Sequence, residues 1–218
     1  MSSENFYTKR EEHANYLSHA AGVILAIATT VLLLRKAIIA ANMWAIVAYA
    51  IFGFGMLTCM LSSTLYHLIQ EPKRKDQLRH FDHASIYLLI AASYSPFTLI
   101  LLREAQFWGW LLFGLVWAIA LVGIGVSFGK LKKNSHLKTT SYVLMGLVVL
   151  IAFKPLIETA NQKNCIEVIW WLIAGGVFYI IGAVIYAIAK REFVHAVFHV
   201  FVLLGLMSHI VSAYLIPM

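Results

Sequence analysis

His195 and His199 stand four residues apart at the start of the last apolar segment, and His67 and Asp82 belong to earlier segments of the same chain. Residues four apart on a helix share a face, with Cβ atoms about 6 Å apart, so two imidazoles at this spacing can chelate one ion. Ser63 and His67 repeat the spacing. Zinc in catalytic sites takes three protein ligands plus a water. His67, His195 and His199 are therefore candidate zinc ligands. Asp82 is the candidate group to bind that water or take its proton.

The elements that must position these groups follow from composition. Of 218 residues, 61% are apolar and only 12% charged, and the mean hydropathy is +0.79, which leaves too little polar surface for a soluble globule. A span needs roughly 20 apolar residues, and seven such segments can be marked near 17–34, 43–69, 82–102, 107–128, 139–158, 166–189 and 196–216. Runs such as Gly109 to Trp117 are continuously apolar, against the short alternating segments of a β-barrel. The expected fold is an all-α seven-helix membrane bundle forming one domain over residues 1–218. Residues 1–16 are polar, and no small-residue cleavage pattern follows the first apolar stretch, so a retained first helix is expected rather than a signal peptide.

Counting Lys and Arg in the connections gives an orientation. One side collects Lys9, Arg10, Lys73, Arg74, Lys75, Arg79, Lys130, Lys132, Lys133, Lys138, Lys190 and Arg191; the other holds Arg35, Lys36, Arg103, Lys154 and Lys163. The positive-inside rule then puts the N-terminus in the cytoplasm and the C-terminus outside. A basic rim facing anionic headgroups accounts for the net charge of +7 without nucleic acid. This topology brings Glu11, Glu12, Asn15, Ser18 and His19, then Ser63 and His67, then Asp82 and His83, and finally His195 and His199 to one depth. Ionisable side chains at membrane depth mark a functional site by default.

The residues resemble the progestin and adipoQ receptor superfamily, most closely its bacterial hemolysin III or YqfA-like branch. The resemblance rests on Glu12 with Asn15, Ser18 and His19; on Ser63-Thr64-Leu65-Tyr66-His67 followed by Phe81-Asp82-His83; and on His195-Ala196-Val197-Phe198-His199. It covers essentially the whole chain. It implies zinc on His67, His195 and His199, a water shared with Asp82, and Ser63 beside it. Relatives include receptors and enzymes similar to ceramide hydrolases, so cleavage of a lipid amide or ester is implied, with membrane lipids or a fatty-acyl compound as the partner. The alternatives are a pore-forming, cytolytic protein, as the family label suggests, or a receptor or regulator of membrane lipid state with structural zinc. Nothing outside the bundle is large enough for a standard protein interface, so no soluble protein partner is expected.

Each of these groups also has a structural reading. Asp82 suits a helix N-terminus, where an acid favours the dipole. Ser63 can bond its own backbone four residues back. Glu12, Asn15, Ser18 and His19 form either a capping cluster or a shell supporting the ligands. His209 lies about 15 Å deeper than His199, too far to share its ion, and is expected to bridge helices. His13, His80 and His136 fall in polar connections, and His83 is turned about 100° from Asp82. Gly125 and Gly129, and Gly175, Gly176 and Gly182, are expected at close helix contacts. Trp44, Trp108, Trp110, Trp170 and Trp171 suit an aromatic belt at the outer ends. Tyr94-Ser95-Pro96 is expected to kink the third helix, and Lys154-Pro155 to mark the outward end of the fifth. Cys59 is expected mid-helix and Cys165 on the outer side, so neither a disulfide nor a thiolate zinc site is expected.

Overall fold

A threonine hydroxyl opens the first helix. Thr8 accepts from the Glu11 N–H while the Glu11 carboxylate accepts from the Thr8 N–H, a reciprocal cap that starts α1 (Lys9–Ile39) well before its apolar stretch. A tight turn through Ala41, at φ 51°, leads to α2 (Met43–Leu68), capped by the Asn42 side chain. Pro72 sits in the first turn of α3 (Pro72–Pro96), where its missing N–H costs nothing. Pro96 ends that helix, and a π-helical turn (Phe97–Leu101) completes the span. Then follow α4 (Trp108–Ser127), α5 (His136–Gly146), a 3-10 stretch (Leu147–Ala152), α6 (Phe153–Gln162), α7 (Glu167–Ile188) and α8 (Val194–Leu215). This computed structural model describes residues 7–105, 107–129, 136–189 and 191–218.

Among the described residues seven spans are long and apolar enough to cross a membrane, with α5 through α6 acting as the fifth. The protein is a multi-pass, all-α membrane protein. The third span is the most buried, and α2 and α4 pack against it. The first helix packs on α2 and α8, and α7 on α8. Ile24, Val31, Phe54, Val122 and Ile188 are exposed on the outer faces, as lipid-facing residues are. Lys36 donates to the carbonyls of Tyr214 and Ile216, tying the end of α1 to the end of α8. Trp44, beside Trp110 and under Arg103, stands at the ends of the bundle remote from the histidines.

Three expectations change. No neighbouring helix stands within contact of Gly125 or Gly176, and only the Val126 carbonyl of its own chain turn lies near Gly129, so these glycines mediate no close crossing among the described residues. Lys154-Pro155 does not end the fifth span. It lies in the first turn of α6, where proline is tolerated after the 3-10 stretch, and the helix runs on to Gln162. His13 and His80 are in α1 and α3 rather than connections, and His136 opens α5. The His80 ring binds the Ser127 carbonyl, joining α3 to the end of α4. Lys130, Lys132, Lys133 and Lys190 of the charge count lie outside the described residues.

Gly175 and Gly182 do face α8. A Cβ at Gly175 would run into the His209 ring and lie 2.9 Å from the Gly205 carbonyl oxygen, whereas Gly176 faces open space. His209 also binds the Leu172 carbonyl at 3.2 Å, bridging α8 to α7. Gly175→Ala should therefore destabilise the protein by about 1–3 kcal/mol through overpacking. Gly176→Ala should be neutral or gain up to about 1 kcal/mol from helix propensity. Thermal melts of the two variants in detergent test this; equal melting temperatures would contradict the close α7–α8 packing.

Candidate metal centre

Four helix segments meet at one end of the bundle: the start of α1, the end of α2, the start of α3 and the start of α8. The entry to α8 is fixed by an acid. Phe193 precedes it with φ 63°, an uncommon conformation for a bulky residue, and its N–H donates to the Glu11 carboxylate at 3.1 Å. Glu11 thus holds both the start of α1 and the start of α8.

The next residue reaches the histidines. Glu12 Oε2 lies 2.7 Å from His67 Nδ1, and its other oxygen accepts from Lys75 Nζ at 2.7 Å. His67 is fully buried. An Nδ1–H donated to a carboxylate fixes the tautomer and leaves Nε2 as a bare donor, the usual support of a metal-binding imidazole. His199 is held the same way: its Nδ1 lies 3.2 Å from the Asn15 carbonyl and 3.0 Å from Ser18 Oγ, whose own hydrogen goes to Asn15 O. Its Nε2 is likewise free.

His67, His195 and His199 bring one ligand atom each within 4.8 Å of one another. His67 Nε2 and His195 Nε2 are 3.1 Å apart. Nitrogens about 2.0–2.1 Å from a tetrahedral zinc are about 3.3 Å from each other, so the separation suits a shared ion. His195 Nδ1 is buried without a partner. The donor set and its hydrogen bonds therefore fit a divalent metal, with neutral imidazoles suited to zinc among others.

The rest of the candidate set falls around this triad. Asp82 and Ser63 are buried side by side and line a cavity of about 490 Å³ that also reaches His195 and His199. His19 stacks on His199 with ring centroids 3.6 Å apart, and both its nitrogens are buried without partners. The Asn15 amide is also unpaired, although its carbonyl serves His199. Glu12, Asn15 and Ser18 thus hold ligands in place, whereas His19 forms part of the wall. His209 lines the far part of the same cavity, away from the triad.

A ring of tyrosines escaped the motif reading. Tyr7 stacks on His195 at 5.0 Å, Tyr186 lies 5.3 Å from the same ring, and Tyr66 meets His67 edge-on at 4.7 Å. Burial pushes the Tyr7 phenol above its ordinary range, so it stays a neutral hydrogen-bond donor. Tyr66 was visible inside the second motif; Tyr7 and Tyr186 have no spacing that announces them. Lys75 was also missed, because a lysine in a basic connection reads as a headgroup contact.

The haemolysin-III-related family model matches residues 7–210. Hemolysin-3 of Bacillus cereus is 36% identical over 210 residues, covering 95% of this chain and 93% of the relative. The Hemolysin-3 homolog of Bacillus subtilis (strain 168) is 39% identical over 199 residues, 91% of each.

If Glu12 orients His67, Glu12→Ala should weaken the binding of a divalent metal at this site by about 10–100-fold, the usual cost of losing a supporting carboxylate. Equilibrium dialysis of the purified chain against zinc measures this. Undiminished affinity would show that His67 is positioned by packing alone.

Proposed function

This chain belongs to the haemolysin-III-related family, and we propose that it is a zinc-dependent hydrolase of a lipid amide or ester in the bacterial cell membrane. The observation that carries the reading is the convergence of three imidazoles, two with fixed tautomers, at the end of a largely apolar cavity that also holds Asp82. His67, His195 and His199 would hold the metal. Bound there, zinc supplies Lewis acidity, which lowers the pKa of water and polarises a carbonyl oxygen.

The protein's own groups would do the rest. Asp82 takes a proton from the attacking water as its oxygen adds to the acyl carbon. When the C–N or C–O bond breaks, the same carboxyl returns that proton to the leaving amine or alcohol. Ser63, buried beside Asp82 in the cavity wall, would hold it toward the acyl carbon. The acyl chain lies along Phe97, Leu112 and Leu156, which line the inner cavity. The lipid enters from the bilayer between helices.

The polar end carries Lys9, Arg10, Lys73, Arg74, Lys75, Arg79, Lys138 and Arg191, which supports placing it, and the N-terminus, on the cytoplasmic side. The name Hemolysin-3 carried by the relatives favours a second reading, in which the protein lyses membranes.

Asp82→Ala should keep its zinc and lose about 10²–10⁴-fold in hydrolysis, the usual worth of a general base. Turnover of a panel of acyl amides and esters by protein in nanodiscs, with metal content measured in parallel, gives the answer. Unchanged turnover would remove Asp82 from the reaction. Leakage of liposomes at low protein ratio, equal in wild type and Asp82→Ala, would favour the lytic reading.

A further inference from the structure

The same cavity has a second chemical feature that hydrolysis does not use. Arg79, His83 and Lys138 all line it. Arg79 and His83 are four residues apart on α3 and share a face, and Lys138 comes from α5, which Tyr142 fastens to the His83 carbonyl at 3.2 Å.

Their polar atoms are poorly satisfied. Arg79 gives one nitrogen to Asp76, at 2.8 Å, but its Nε is buried with no partner. His83 Nδ1 is buried and unpartnered. Lys138 is only 8% exposed and meets no carboxylate among the described residues. Buried donors of positive sign cost free energy unless an anion meets them. A guanidinium, an ammonium and an imidazole around one space suit a group with several acceptor oxygens and more than one negative charge, which is a phosphate.

What lies beside them narrows the ligand further. Asp82 is one helical turn from Arg79, so the phosphate and the acyl carbon would be separated by a few bonds, the length of a glycerol backbone. Beyond it the cavity wall turns apolar through Ile86, Leu89 and Ile90 on the same helix. From this juxtaposition we infer that Arg79, His83 and Lys138 form a subsite for the phosphate of a glycerophospholipid whose acyl chain fills the cavity. The inference rests on the reading of that cavity as a lipid pocket and names the class of lipid it takes.

The test is binding of fluorescent-acyl lysophosphatidic acid to the full chain in nanodiscs of neutral lipid. The same labelled chain on monoacylglycerol, the free labelled fatty acid and inorganic phosphate are the comparisons. Wild type should bind the phosphate-bearing lipid at least about tenfold more tightly than monoacylglycerol, one charge-assisted hydrogen bond being worth about that factor. Arg79→Gln and Lys138→Gln should each remove most of that preference while leaving monoacylglycerol binding and melting temperature unchanged.

Equal binding of the phosphate lipid and monoacylglycerol would overturn the subsite but leave the lipid pocket standing. Failure of every acylated probe to bind would overturn both. Fatty acid binding as tightly as the phosphate lipid would overturn the assignment to phosphate, and inorganic phosphate binding as tightly would overturn the assignment to a lipid.

Discussion

The contact between Glu12 and His67 is the interaction on which the polar end of this molecule depends. Burying an imidazole without a partner costs free energy, and at 2.7 Å the Glu12 carboxylate is the partner that fully buried His67 has. It joins α1 to α2 and leaves His67 Nε2 aimed at His195. The carboxylate is in turn held by Lys75 on α3, so three helices share one hydrogen-bonded chain. Glu11, the adjacent residue, anchors the fourth helix through the Phe193 N–H. Two neighbouring acids thus do separate work: one sets where α8 begins, and the other sets which nitrogen of His67 is free.

Around this network the bundle is apolar, and that contrast suits lipid chemistry. The cavity runs from histidines, Asp82 and basic side chains at one end to Phe97, Leu112 and Leu156 at the other. Its two ends match the two halves of an amphiphile. The unpaired nitrogens of His19 and His195 lie at the polar end, where the surrounding protein provides no compensating bonds. On the proposed reading, polar groups of the substrate meet them.

Much of this was legible in the residues because the two signals involved are strong. Twenty-residue apolar runs betray spans, and His-x-x-x-His at a helix start betrays a shared face. Odd and even spans then place His67 with His195 without any knowledge of packing. What was not legible depends on which faces meet. Lys75 reads as a headgroup lysine until α3 begins at Pro72 and folds it onto Glu12. Tyr7 and Tyr186 touch His195 only because the chain start and the end of α7 converge there. Gly125 and Gly129 have small-residue spacing but no helix opposite among the described residues, since spacing states a face and not its neighbour. Lys154-Pro155 reads as a stop, yet proline in a first turn serves equally as a start.

On the proposed reading, three histidines from α2 and α8 hold one metal ion. Elemental mass spectrometry of detergent-purified wild type beside His67→Ala, His195→Ala and His199→Ala tests it directly. About one zinc per wild-type chain is expected, as for a three-histidine site, with loss of it in all three variants. A folded wild-type protein without bound metal, or variants that retain it, would rule out the three-histidine site and leave the imidazoles as packing groups between helices.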